Sequence, residues 1–147
     1  DICCYYGLIK MKYIDNILND SGEILAIILR SEHKSEGIEF FTPDDFPQQL
    51  GYMFHKKGHK VKPHMHNKVE RKVSYTFEVL FIKSGTVRVD FYDENKFFFK
   101  SDILNKGDVI MLAYGAHGFE MLEDAEMIEV KQGPYAGDDD KTRFDPK

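Results

Sequence analysis

Residues 74–92, SYTFEVLFIKSGTVRVDFY, decide the fold class of this chain. The first half of the stretch is rich in aromatic and β-branched residues, which favour strands. The second half alternates valine and phenylalanine with charged residues, and a period of two is typical of a half-buried strand. Ser84-Gly85 lies between the halves as a turn. The stretch therefore predicts two consecutive strands, at 74–83 and 86–92.

Short runs of the same kind occur along the rest of the chain, separated by turns rich in Gly, Asp, Asn and Pro. They lie at residues 24–30, 37–42, 49–55, 96–100, 109–113, 117–122 and 126–132. Turn signals every ~8–12 residues predict an all-β sandwich or small barrel. Residues 13–19 are predicted to form a short helical turn. No repeat, linker or second domain is visible in the sequence.

The composition is that of one globular domain. The chain has 147 residues, of which 42% are hydrophobic and 14% aromatic, enough to bury a core. Its net charge of -5 is spread along the sequence without a basic stripe, which argues against a nucleic-acid partner. No apolar run approaches the ~20 residues of a membrane span, so we expect no membrane partner.

The cysteines and the N-terminus favour a cytoplasmic location. Cys3 and Cys4 are adjacent, and a vicinal pair rarely forms a structural disulfide. The cysteine content therefore favours a reducing compartment. The N-terminus lacks the basic-then-apolar plan of a signal peptide. Met11 is followed by an ordinary polar opening and is an alternative start, in which case residues 1–10 are upstream or vector-derived sequence.

His64-Met65-His66 is the strongest chemical signal in the chain. Residues i and i+2 of a strand point to the same face, so two imidazoles at this spacing can converge on one metal ion. On a helix the same spacing would separate them by about 200°. Pro63 before the pair and the apolar runs after it favour a strand. The remaining histidines, His33, His55 and His59, are predicted to be solvated.

A third histidine and a carboxylate complete the candidate metal site. His117 follows a strand and a glycine-containing turn. Glu78 is the preferred carboxylate, because alternation places it on one face with Leu80 and Ile82, where a buried acid needs a partner. Glu70 is the competing carboxylate, closer to the histidine pair but within a charged segment. Such a set suits Fe(II), Mn(II), Ni(II) or Zn(II).

These residues resemble the two cupin motifs. The first, G-x5-H-x-H-x3,4-E-x6-G, is matched at Gly58, His64, His66, Glu78 and Gly85, with eleven residues between the second histidine and the glutamate. The second, G-x5-P-x-G-x2-H-x3-N, is matched at Gly107, Gly115 and His117. In that motif Ala113 replaces the proline, Met121 replaces the asparagine, and one residue is missing before the histidine.

The resemblance implies a cupin-type double-stranded β-helix, a jelly-roll barrel, over residues 21–135. Residues 1–20 would be an N-terminal extension and residues 136–147 a polar tail. His64, His66, Glu78 and His117 would be the metal ligands. The end of the last strand resembles small single-domain cupins associated with polysaccharide and nucleotide-sugar pathways.

The residues and the cupin resemblance leave three functions open. The first is a metal-dependent enzyme, an isomerase or oxygenase, acting on a small polar or sugar-derived substrate, with the ion as Lewis acid and Glu78 as base. The second is a metal-free nucleotide-sugar isomerase or epimerase with His64 or His66 as base and Tyr52 as acid. The third is a non-catalytic cupin that binds a small ligand. Further candidate pocket residues are Tyr52 and Gln49 on the strand before the histidines, and Glu129 or Lys131 on the last strand, since alternation lets only one face of each strand contribute.

The chain is predicted to form a homodimer. Residues 24–29 are apolar without a break, whereas a strand on the outside of a barrel needs one apolar face. The second face is covered either by the chain's own residues 13–18 or by a second subunit. The alternative is that the strand lies between two layers of one chain. Two-fold pairing is the commonest closed oligomer.

Overall fold

The computed structural model describes residues 12–147, which form ten strands and one short 3-10 helix. The strands are β1 (Ile14–Leu18), β2 (Ile24–Leu29), β3 (Gly37–Phe40), β4 (Gly51–Phe54), β5 (Glu78–Ser84), β6 (Thr86–Tyr92), β7 (Phe98–Asn105), β8 (Val109–Leu112), β9 (Ala116–Met121) and β10 (Glu126–Lys131); the 3-10 helix, η1, is Gly137–Asp140. The predicted all-β class is confirmed.

Cys3, Cys4 and Met11 lie outside the described residues. Within that range, no helix has the length and apolar character of a membrane span.

The strands are arranged in three antiparallel sheets. The largest has the order β1-β2-β8-β5-β10, a second has the order β7-β6-β9, and β3 and β4 form a separate hairpin. The sheets of residues 12–147 do not close into one barrel. The all-β architecture is therefore established, while the cupin jelly roll remains an expectation from the motif resemblance.

The five-stranded and three-stranded sheets pack face to face around the main core. Alternate residues of β6 point inward, and Val87, Val89 and Phe91 are almost fully buried. They belong to one apolar cluster with Leu80 and Ile82 of β5. This is the period of two that the sequence predicts for the hairpin.

The outer face of the five-stranded sheet is also covered. Strand β2 lies between β1 and β8, and Ala26, Ile27 and Ile28 are all 0% exposed. Ala26 and Ile28 belong to the core between the sheets, whereas Ile27 packs on the other face with Leu50 and its neighbours. The unbroken apolar run is thus explained by two layers of a single chain. The homodimer, which that run suggested, stays a prediction.

The predicted helical turn at residues 13–19 is wrong, because this segment is strand β1. Ile14 is buried on the outer face of the sheet and Ile17 on the inner face. Residues three apart on a strand face opposite sides, so β1 buries one isoleucine on each. Strand β5 begins at Glu78, four residues later than predicted, and β7 continues to Asn105.

Arg30 joins three parts of the chain at one end of the sandwich. Its guanidinium donates to Asp15 at 2.8 Å, to Asp102 at 2.9 Å and to Asp108 at 3.3 Å. Burial opposes the charged form, but the hydrogen bonds to Asp102 and Asp15 outweigh it and raise the pKa of Arg30. The arginine therefore stays charged and connects β1, β7 and the turn before β8.

Asp108 is the most deeply buried member of this network, with its side chain 3% exposed. Its two oxygens also accept the backbone N–H groups of Ser31 and Asn105, each at 2.9 Å. A buried carboxylate with three donors is stable only while those donors remain.

Replacing Arg30 by Met should lower the free energy of unfolding by about 3 kcal/mol, because it leaves the buried Asp108 charge without its cation. Urea unfolding followed by circular dichroism measures this. The control is Lys83→Met, which removes an ion pair with Glu126 whose two side chains are 56% and 64% exposed. That control should change stability much less. Equal losses in both variants would contradict the role given to Arg30.

Candidate functional site: the Glu78–His117 pair

Glu78 is the first residue of β5 and faces the space between the two sheets. Leu80 and Ile82, two and four residues later, belong to the core between the sheets. Phe77 and Val79 pack on the opposite face of the five-stranded sheet. The predicted alternation is confirmed, and it places a carboxylate at the open end of an apolar face.

His117 reaches Glu78 from the other sheet. It is the second residue of β9, and its Nε2 lies 3.3 Å from Oε2 of Glu78. The Glu78 side chain is 15% exposed and the His117 side chain 30% exposed. Hydrogen bonding with His117 lowers the pKa of Glu78, against the opposing effect of burial. The pair is thus a mostly buried carboxylate with a partly accessible imidazole.

Further charges surround this pair. Lys131 of β10 is opposite Glu78 in the strand register, and its Nζ lies 3.4 Å from Oδ2 of Asp140. Asp140, in η1, also accepts a hydrogen bond from Thr76 Oγ1 at 2.9 Å. This bond, with Lys131 nearby, lowers the pKa of Asp140. Lys131 and Lys141 also lower the pKa of Glu78 through their charge.

The predicted strand for His64 and His66 is wrong. Both are exposed and lie in the coil of residues 55–77, outside any strand. Their rings meet edge to face at 5.3 Å, and Nδ1 of His64 lies 3.0 Å from the Lys62 carbonyl oxygen. Glu70 lies exposed in the same coil. Apolar residues there, such as Met65, are exposed because no neighbouring strand covers them.

The structure therefore brings together two of the four predicted ligands, Glu78 and His117. Residues 12–147 contain no group of three or more His, Cys, Asp or Glu side chains arranged to hold a metal ion. Protein zinc sites use three or four protein ligands, and two donors do not make such a site. In this conformation the residues do not fit a bound metal.

Tyr52, the predicted acid, lies elsewhere. It is on β4 and packs against the apolar cluster on the outer face of the five-stranded sheet. Its ring meets His33 edge to face at 5.1 Å. His33 was predicted to be solvated, which is wrong: it is 7% exposed, and its Nε2 lies 3.0 Å from Glu39. Because Glu78 faces inward, Tyr52 and Glu78 occupy opposite faces of the sheet.

The sequence leaves Glu129 or Lys131 as the candidate on the last strand, and it gives no sign of Asp140. Met127 of β10 packs against the core between the sheets. Lys131 is four residues later, so the period of two places it on the same inward face. Asp140 lies in an acidic run, Asp138-Asp139-Asp140, that has no strand or helix periodicity. Only the folding of η1 against Thr76 distinguishes the third aspartate from the other two.

Comparison with known proteins finds no matching family model, no matching curated protein and no matching solved structure.

Replacing His117 by Gln should raise the pKa of Glu78, because the largest effect that lowers it is removed while burial remains. NMR titration of the Glu78 carboxyl carbon measures the change. Since the folded pKa lies below its ordinary value of 4.5, Glu78 stabilises the fold above that pH, and this contribution is lost as pH falls through the folded pKa. His64→Gln is the control and should leave the Glu78 titration unchanged. A shift caused by His64→Gln instead would contradict the exposed placement of that residue.

Proposed function

We propose that this all-β protein binds a small polar molecule at the open end between its two sheets and transfers protons there through His117. The observation that carries the proposal is the Glu78–His117 pair, with Nε2 and Oε2 3.3 Å apart. Imidazole exchanges protons near neutral pH, and a carboxylate on one ring nitrogen orients the ring and stabilises its protonated form. Nδ1 of His117 is then the nitrogen that exchanges a proton with the ligand.

The reaction that suits this arrangement is isomerisation or epimerisation next to a carbonyl group. His117 removes a proton from the carbon beside the carbonyl, and the electron pair of that C–H bond forms an enolate. In an isomerisation the imidazolium returns the proton on the same side to the former carbonyl carbon, while the adjacent hydroxyl transfers its proton to the former carbonyl oxygen. In an epimerisation solvent water protonates the opposite face and the imidazolium releases its proton to solvent, so neither route needs an oxidant or a second substrate. Lys131, whose charge is close enough to act on Glu78, supplies positive charge for the enolate oxygen.

A sugar derivative with a carbonyl group is the substrate class we favour. The cupin resemblance connects the chain with sugar and nucleotide-sugar chemistry, and the Glu78–His117 site offers polar groups that hydrogen-bond to hydroxyls. This proposal keeps the metal-free isomerase or epimerase hypothesis but moves the base from His64 or His66 to His117. Tyr52 has no part in it, because it lies on the other face of the sheet.

Deuterium exchange tests this function. The protein is incubated in D2O with a panel of nucleotide-linked and free keto-sugars, and incorporation at carbon is followed by NMR. His117→Gln should lower the exchange rate roughly 10²- to 10⁴-fold, the usual contribution of a general acid–base group. Glu78→Gln should lower it less and shift its pH profile. His66→Gln is the control and should keep the wild-type rate. Exchange that survives in His117→Gln would reject His117 as the base.

A metal-binding cupin is the second candidate, favoured by the cupin motifs and by the contact between two of the four motif ligands. It requires the coil of residues 55–77 to bring His64 and His66 to Glu78 and His117. The residues would then supply three imidazoles and one carboxylate, a set that suits Fe, Mn, Ni or Zn.

Metal content separates the two candidates. The natively expressed protein and its His66→Ala variant are compared by elemental analysis and by thermal unfolding. The metal candidate predicts stoichiometric metal in the wild type, loss of metal in the variant, and a modest loss of stability, because an ion bound only to the native state stabilises it. The proton-transfer proposal predicts no effect of His66→Ala on either measurement.

A further inference from the structure

A second cleft lies on the opposite face of the five-stranded sheet from Glu78. Its volume is about 760 Å³, which is within the usual range for small-molecule sites. Phe77 and Tyr114 line it, and both pack against the outer apolar cluster. Neither Glu78 nor His117 is among the lining residues. The cleft is therefore separate from the site proposed above.

Aromatic rings line the cleft around Tyr114. The ring centroid of Tyr114 lies 5.3 Å from Phe77, 5.5 Å from Tyr75 and 6.0 Å from Phe46, each in an edge-to-face arrangement. Tyr75 is 65% exposed although it takes part in this cluster. An exposed ring held by other rings is a preformed surface for a cation or an apolar group.

Charged residues of both signs line the cleft. Asp44 and Asp45 come from the segment between β3 and β4, and Arg71 and Lys72 come from the coil of residues 55–77. None of the four belongs to an ion pair within residues 12–147. The cleft is thus lined by two acids and two bases from separate segments that do not pair with each other.

Asp44 and Asp45 belong to an ordered turn. Gln49 Nε2 donates to the carbonyl oxygens of Pro43 and Phe46 at 2.9 and 3.0 Å, and the Phe46 N–H also donates to Pro43 at 3.1 Å. These bonds fix the backbone on both sides of Asp44 and Asp45. The backbone that carries the two carboxylates is therefore held in place, which reduces the entropy lost when a ligand binds.

We propose that this cleft binds a zwitterion that carries an organic ammonium group at one end and a phosphate or carboxylate at the other. The ammonium would lie on the aromatic rings beside Asp44 and Asp45, where cation–π and charge attraction act together. The anionic end would bind Arg71 and Lys72 by charge-assisted hydrogen bonds. A ligand with only a positive or only a negative charge would be attracted by one of these two charged pairs and repelled by the other.

Phosphocholine is the probe, and choline and methyl phosphate are its two halves. Binding to the wild-type protein is measured by calorimetry and by NMR shifts of the Tyr75 and Tyr114 rings. Phosphocholine should bind more tightly than either half. Asp44→Asn with Asp45→Asn should weaken phosphocholine and choline roughly threefold to tenfold and leave methyl phosphate no weaker. Arg71→Gln with Lys72→Gln should weaken phosphocholine and methyl phosphate but not choline.

Exposed charges outside the cleft provide matched controls. Asp20→Asn with Asp124→Asn, and Lys100→Gln with Lys106→Gln, make the same charge changes and should leave phosphocholine binding unchanged. Tyr75→Ala should reduce binding of choline more than that of methyl phosphate. No saturable binding of phosphocholine by the wild type would overturn the proposal, and so would binding that the controls weaken as much as the cleft variants do.

The same zwitterion occurs as a free metabolite and as a lipid headgroup. Sedimentation with phosphatidylcholine vesicles, with anionic vesicles for comparison, distinguishes the two sources. Binding of free phosphocholine alone identifies a soluble ligand, and binding of phosphatidylcholine vesicles that depends on Asp44 and Arg71 identifies the headgroup. Vesicle binding that depends only on lipid charge would contradict the proposal.

Discussion

The burial of the five-stranded sheet on both faces is the constraint on which the rest of the structure depends. Strand β2 runs between two apolar layers, with Ala26, Ile27 and Ile28 fully buried. Alternation along every neighbouring strand then assigns successive residues to different layers. Phe77 and Glu78 show the consequence, because the first lines the outer cleft and the second contacts His117 on the inner side. One sheet thus separates the aromatic cleft from the Glu78–His117 pair, although Phe77 and Glu78 are adjacent in sequence.

The two ends of the sandwich use charge in different ways. At one end Asp108 precedes β8 and is surrounded by donors from Arg30 and the backbone, which fixes strands whose side chains are otherwise apolar. At the other end β8 finishes at Leu112, opposite Glu78, and there the charges have fewer partners. An acid held by several buried donors stabilises the fold. An acid held by one accessible imidazole can exchange protons and bind ligands, which is why the function is assigned to this end.

Much of the strand pattern follows from the sequence, because nine predicted strands each overlap one of β2–β10. The inward direction of Glu78 follows from the same period of two. The failures come from packing that a local pattern does not contain. Ile14 and Ile17 have a helix-like spacing, yet β1 buries one on each face of the sheet. His64 and His66 have the spacing of a metal-binding strand, but a strand also needs a hydrogen-bonding neighbour, and no described strand pairs with residues 64–66.

The burial of the five-stranded sheet also explains why the polar pair lies at the end of a strand. Along β5 the exposed fraction falls from 15% for the Glu78 side chain to 3% at Leu80 and 0% at Ile82. A carboxylate at either deeper position would lose its hydration without a partner from the facing sheet, at a cost of several kcal/mol. At Glu78 the facing sheet provides His117, and water still reaches both groups. The apolar core therefore restricts the Glu78–His117 pair to the first residue of the strand, where both side chains are still partly exposed.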